Sequence, residues 1–123
     1  MINEPTTEDP RGIDIARTVM SISSDLQASN IVVLDVRTIS YFTNYFVLMT
    51  ADSRRQIQAL ANNIEGSLAK TGVKPHHSEA TADSGWILID YGDVMVHVFD
   101  HDNREFYNIE NLWDSSVVLF RIQ

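Results

Sequence analysis

The chain has 123 residues, 44% of them apolar and 21% charged, with a formal charge of −8 and a pI near 4.7. That is one domain's length and the composition of an ordinary folded protein, which sets aside disordered, fibrous and membrane classes. The acidic balance lacks the basic footprint that phosphate backbones demand, so direct nucleic-acid binding is not expected as the main source of affinity; a basic protein partner suits the charge, and so does plain solubility.

Met1 to Asp9 is polar and without apolar periodicity, and is expected as a mobile tail ahead of a single domain over 10–123. Its acidic character is unlike a targeting peptide, and no apolar run approaches the roughly 18 residues of a membrane span. The absence of cysteine removes disulfides, thiolate catalysis and cysteine zinc sites. The cytoplasm of a bacterium is the expected compartment. Asp9 as cap and Pro10 as first helical residue predict a helix start, and Ile13, Ala16, Val19, Met20 and Leu26 form its apolar stripe to about Ser29. Ile31–Val36 is β-branched and almost continuously apolar, as a strand covered on both faces would be; Asn44–Thr50 predicts a second strand. The connection between them, Thr38 to Thr43, has no clear pattern.

Ser53 and Gln56 have capping-box spacing, so a helix is expected from there. Ile57, Leu60, Ala61, Ile64 and Leu68 make its buried stripe, Lys70 its last turn and Gly72 its stop. Val73 to Ser84 predicts a loop. After the hairpin described next, Asp100 to Glu105 is expected as a polar connection and Phe106-Tyr107 as a short extended piece. Ile109, Leu112 and Trp113 form one face of a short helix, and Val117–Ile122 is either a last strand or a packed tail. The fold class expected is α/β, a single domain with a mixed sheet of four to five strands packed with helices.

Trp86 to Phe99, W-I-L-I-D-Y-G-D-V-M-V-H-V-F, is the most informative stretch. A two-residue turn at Tyr91-Gly92 would set Asp90 opposite Asp93, Leu88 opposite Met95 and Trp86 opposite His97. Alternation then gives one aliphatic face, Ile87, Ile89, Val94, Val96 and Val98, suited to packing under helices. The other face carries Trp86, Leu88, Asp90, Asp93, Met95, His97 and Phe99. Opposed carboxylates repel, so the turn end is expected to be wet. An apolar middle with acidic margins is the composition of a protein-binding patch; the alternative is that the first or last helix covers it.

No chemistry emerges beside it. His97 falls too far along the ladder from Asp90 and Asp93 for a metal site, and His76-His77, being adjacent, point apart. Asp100 to Asn111 lacks the central glycine and final glutamate of a calcium loop. Phosphate loops, nucleophile elbows and H-E-x-x-H are missing. A Ser-capped helix after a strand is compatible with a nucleotide-transfer scaffold, but its paired acids are not found: Asp35 is followed by Val36 and Arg37. No cofactor or metal is expected.

Six strings in order carry a resemblance: V-L-D-V-R-T-I-S around Asp35, T-N-Y-F-V-L from Thr43, S-R-R-Q-I-Q-A-L-A from Ser53, the hairpin with D-Y-G-D-x-x-V-H-x-F, R-E-F-Y from Arg104, and Leu112-Trp113. Over about Ile13 to Trp113 the chain resembles the ribosomal silencing factor family, RsfS, also called Iojap. It departs at Asn44, where the family usually has Asp, at Ala51 of the usual G-x-S, and at Ala80 of the usual Glu-Gly. The resemblance implies a nucleotidyltransferase-like topology without catalytic acids and no enzymatic activity. It also implies binding to the large ribosomal subunit through ribosomal protein uL-fourteen, obstruction of small-subunit joining when nutrients are scarce, and a homodimer when unbound. The partner-binding set it places on the hairpin is Trp86, Leu88, Asp90, Tyr91, Gly92, Asp93, Met95, His97 and Phe99. Apolar anchors would be Trp86, Leu88 and Met95, with Asp90 and Asp93 meeting Lys or Arg. Two other classes stay open: a nucleotide-handling enzyme on the same scaffold, and a dimerisation module whose amphipathic face pairs with itself.

Overall fold

The computed structural model describes residues 10–79, 82–112 and 116–122. The stretch 1–9, the Asp9 cap and Trp113 lie outside them. Elements run in the order α1 (Pro10–Asp25), β1 (Ser29–Asp35), β2 (Tyr45–Ala51), α2 (Arg54–Ala69), β3 (His77–Glu79), a 3₁₀ turn (Ala82–Ser84), β4 (Trp86–Asp90), β5 (Val94–Asp100), α3 (His101–Tyr107), α4 (Ile109–Leu112) and β6 (Val117–Ile122). They form one mixed sheet of strand order β3-β4-β5-β2-β1-β6, in which β2 and β5 run parallel and every other neighbouring pair antiparallel. The α/β single-domain expectation holds. Six strands replace four to five because part of the expected 73–84 loop pairs: His77, Ser78 and Glu79 lie opposite Asp90, Ile89 and Leu88.

The two long helices cover one side of the sheet. Alternate strand residues meet them there, Ile31, Val33, Tyr45, Val47, Met49, Ile87, Ile89, Val94, Val96 and Val98 against Ile15, Ala16, Val19, Ile57, Leu60, Ile64 and Leu68. Helix α2 begins as its sequence predicts: Ser53 Oγ accepts from the Gln56 amide at 3.0 Å, and Gln56 Oε1 accepts from the Asp52 amide at 2.6 Å. Its amide Nε2 also donates to the carbonyls of Leu26 and Gln27, fastening the end of α1 to the start of α2. Gly72, at φ +83°, takes the left-handed conformation past the helix end that a side chain would resist.

Two expectations need correction, and one open alternative is settled. Helix α1 ends at Asp25, short of Ser29, because Gln27 turns into the left-handed region at φ 63° and the chain enters β1 at Ser29. Asp100 to Tyr107 is a strand end followed by a helix, where a polar connection and an extended piece were expected. Asp100 caps α3 by accepting from the Asn103 amide at 2.8 Å, and Asn108 closes it at φ 45°. Finally, Val117–Ile122 is a strand paired along β1, settling the alternative left by its sequence.

Candidate functional site: the outer face of the hairpin

The side of the sheet away from α1 and α2 is covered unevenly. Over β1 and β2 it is closed: Val32, Leu34, Val36, Phe46 and Leu48 are buried, with Ile39 from the β1–β2 loop and Ile109 from α4 packed against them. Over β4 and β5 it is partly open, and Trp86, Leu88, Asp90 and Met95 are half-buried.

The hairpin register differs by two residues from the one expected. Trp86 faces Phe99, Leu88 faces His97 and Asp90 faces Met95. The turn is centred on Gly92-Asp93, one residue later than expected, and its polar groups hold it there. Asp90 Oδ1 accepts from the Gly92 amide at 2.7 Å, and the Tyr91 amide reaches Val94 O at 2.8 Å. Asp93 O accepts from the amides of Asn44 and Tyr45, both at 3.0 Å, which joins the turn to the start of β2. Gly92 sits at φ +84° beneath the His76 ring, where an added Cβ would fall 2.8 Å from His76 Cε1. Asp90 and Asp93 are therefore not opposed across the ladder. A shift of two preserves strand parity, so the sorting of side chains into two faces survives the error.

Three residues of the expected partner-binding set are covered. Tyr91 belongs to the helix-side core, because it continues the parity of Ile87 and Ile89. His97 (4% exposed) and Phe99 (0%) do lie on the outer face, but beneath other rings. Trp86 stacks at 5.4 Å from Phe99 and 5.9 Å from His97 and meets Tyr107 of α3 at 4.8 Å, while Phe46 stands edge-on to His97 at 5.2 Å. The indole Nε1 donates to His97 Nδ1 at 3.3 Å, so the neutral imidazole carries its proton on Nε2, which is buried and without a partner among the described residues. Burial, helped by the positive charge of Arg104, pushes the His97 pKa down to about 4. The accessible part of the set is Trp86, Leu88, Asp90, Gly92, Asp93 and Met95.

Sequence reasoning missed what walls this face. Tyr107 and Ile109 border Trp86 and the covered half because Arg104, 7% exposed, ties α3 and α4 to the sheet. Its guanidinium donates to Asn30 O and Thr50 Oγ1, both at 2.9 Å, and forks onto Glu110 at 2.9 and 3.1 Å. That fork holds the Glu110 carboxyl below its usual range against the opposing effect of burial. The available signal was Asp100 three residues ahead of Asn103, the spacing of a helix cap.

The lone acid considered for metal-assisted transfer is already engaged. Partial burial would raise the pKa of Asp35, but the Arg37 fork at 2.7 to 3.1 Å more than offsets it and holds the carboxyl below its ordinary value. Among the described residues no group of three or more His, Asp or Glu is placed to hold a metal ion, and no helix is long and apolar enough to cross a membrane.

A family model described as "Ribosomal silencing factor during starvation" matches residues 9–121. The ribosomal silencing factor RsfS of Bacillus subtilis is 35% identical over 99 residues, 80% of this chain and 84% of that protein. The protein of the same name from Chromobacterium violaceum is 32% identical over 109 residues, 89% of each chain. A crystal structure of a Chromobacterium violaceum protein superposes with a TM-score of 0.79 at 33% identity, covering 83% of this chain and 85% of the other.

Proposed function

The chain belongs to the ribosomal silencing factor family, and from that premise we propose that it is a non-enzymatic translational repressor that docks on ribosomal protein uL-fourteen of the large ribosomal subunit. Bound there, it blocks the small subunit from joining. The observation that carries the reading is the half-open outer face over β4 and β5, beside a half that the chain covers itself. Trp86, Leu88 and Met95 supply apolar contact, and Asp90 with Asp93 at the turn supply partners for Lys or Arg. The net charge of −8 favours approach to a basic protein surface. Obstruction needs occupancy rather than catalysis, and a standard interface of roughly 800 Å² per partner gives it enough affinity. A cytoplasmic location and a homodimer in the unbound state complete the proposal.

The test is sedimentation of the full chain with purified large subunits, followed by a subunit-joining assay. Wild type should travel with large subunits and suppress joining; Trp86→Ala and Asp93→Arg should do neither while remaining folded. Binding by both variants at wild-type strength would refute the assigned face, and a wild type that leaves joining untouched would refute the function.

A further inference from the structure

The β1–β2 loop, residues 36–44, is held at both ends and in its middle. Val36 N donates to Asn44 O at 2.9 Å, and Val36 O accepts from the amides of Ile39 and Ser40 at 3.1 and 2.8 Å. Ser40 Oγ accepts from the amides of Phe42 and Thr43 at 3.2 and 3.3 Å. Ile39 packs into the apolar layer of the outer face, and Thr43 is buried. The tip of this well-anchored loop nevertheless presents two adjacent aromatic rings to solvent: Tyr41 is 106% exposed and Phe42 60%. Rings that far into water add little to folding, and the backbone bonds that fix the loop would serve a serine or asparagine tip equally well.

Their position gives the rings a use. Because β2 and β5 are parallel, the loop entering β2 and the turn entering β5 lie at the same end of the sheet, and Asp93 O bonds the amides of Asn44 and Tyr45 across them. Ile39 places the loop on the outer side, in the same apolar layer as Trp86 and Met95. The exposed rings thus stand at the margin where Asp90 and Asp93 put negative charge beside the open face. We infer that Tyr41 and Phe42 are a second contact element of that face. They receive Lys or Arg side chains of a basic protein partner, the rings taking the aliphatic stems and guanidinium planes while the aspartates meet the charge. An anchored loop loses little freedom on binding, and aromatic rings offer large contact area for few rotatable bonds, which is what an interface hot spot requires. The chain's net charge of −8 favours a basic protein over nucleic acid as the occupant.

This inference rests on the docking reading above, and the experiment separates the two. The full chain carrying Tyr41→Ser and Phe42→Ser together is compared with wild type and Trp86→Ala, using purified large subunits and, separately, isolated ribosomal protein uL-fourteen. The double variant should melt as wild type does, since side chains this exposed contribute little to stability. It should bind both probes at least about tenfold more weakly, and Tyr41→Phe with Phe42→Tyr should restore binding. Wild-type affinity in the double variant, with Trp86→Ala weakened, overturns the loop's role and leaves the docking face standing. Weakening on whole subunits alone, with the isolated protein bound normally, assigns the contact to ribosomal RNA and overturns the partner named here. Failure of wild type to bind either probe overturns the docking reading and the inference with it.

Discussion

The two sides of the β4–β5 pair are made from the same twelve residues and differ in almost every physical respect. Toward the helices, Ile87, Ile89, Val94, Val96 and Val98 are buried aliphatics in one continuous core. Away from them, Trp86, Leu88, Asp90 and Met95 are half-covered, and only His97 and Phe99 are sealed. The sheet's outer side over β1 and β2 shows that this chain can close such a surface with a loop and a short helix. Leaving the neighbouring half open teaches that folding stability resides mainly in one face of the hairpin, so the other is available for recognition.

Adjacent residues test that division most severely. Ile89 is fully buried and Leu88, its neighbour, points the opposite way. Ile89→Ala should cost about 3 kcal/mol, read as a lower denaturant midpoint, through lost burial and the cavity left behind. Leu88→Ala should cost about 1 kcal/mol or less yet weaken attachment to large subunits. Equal stability losses from the two would abolish the distinction between the faces.

Arg104 addresses how the closed end of the outer face is held. Replacing it with Met leaves Asn30 O, Thr50 Oγ1 and Glu110 without their donor, and should cost about 2 to 3 kcal/mol; the partly exposed Glu110 can regain some water. In a double-mutant cycle, Glu110→Gln on the Arg104→Met background should cost less than it does alone, because the carboxylate's partner is already gone. Additive losses would mean that the pair does not act as one clamp.

The imidazole under Trp86 contributes a pH dependence of its own. Because the folded His97 pKa is depressed to about 4 from the usual 6.5, the unfolded chain binds the extra proton first as pH falls. The stability this residue leaves intact above pH 6.5 is therefore lost on descending toward pH 4, by about 2 kcal/mol at pH 5. His97→Phe, which keeps a ring in the stack, should flatten that interval of the stability curve. A curve of unchanged slope would mean that His97 ionises as readily folded as unfolded.

Much of this arrangement could be read from residues, and the failures have identifiable causes. Strand periodicity sorted the hairpin into faces correctly even though the register was wrong, since an error of two residues leaves parity unchanged. The register itself depended on where Asp90, Asp93 and Gly92 place their hydrogen bonds, including one set to β2, and such long-range bonds leave no local pattern. Helix α2 was evident because cap, stripe and stop agree. Helix α3 was hidden because its polar, short sequence has no apolar period; its single buried residue is Arg104. The extent of the open face was likewise hidden, since Phe99 and the Trp86 ring that covers His97 both meet Tyr107 arriving from α3. For the same reason Tyr41 and Phe42 gave no signal within an irregular connection, and became notable only through their exposure.

Tyr91 provides the gentlest probe, because it sits in the turn between the two faces yet belongs wholly to the inner one. Its ring is in the helix-side core and its hydroxyl is buried with no partner among the described residues. Burial, with the charge of Glu65 nearby, pushes its pKa up to about 12. A raised phenol pKa contributes stability below pH 10 that is lost as pH climbs through 12, because the unfolded chain gives up its proton earlier. Tyr91→Phe keeps the ring and deletes only the unsatisfied oxygen, so stability at neutral pH should hold within about 1 kcal/mol or rise slightly. The alkaline decline should shrink and binding to large subunits should remain at wild-type strength. Weakened binding in a variant of undiminished stability would place this hydroxyl in the interface, and the boundary between the two faces would have to be moved to the far side of the turn.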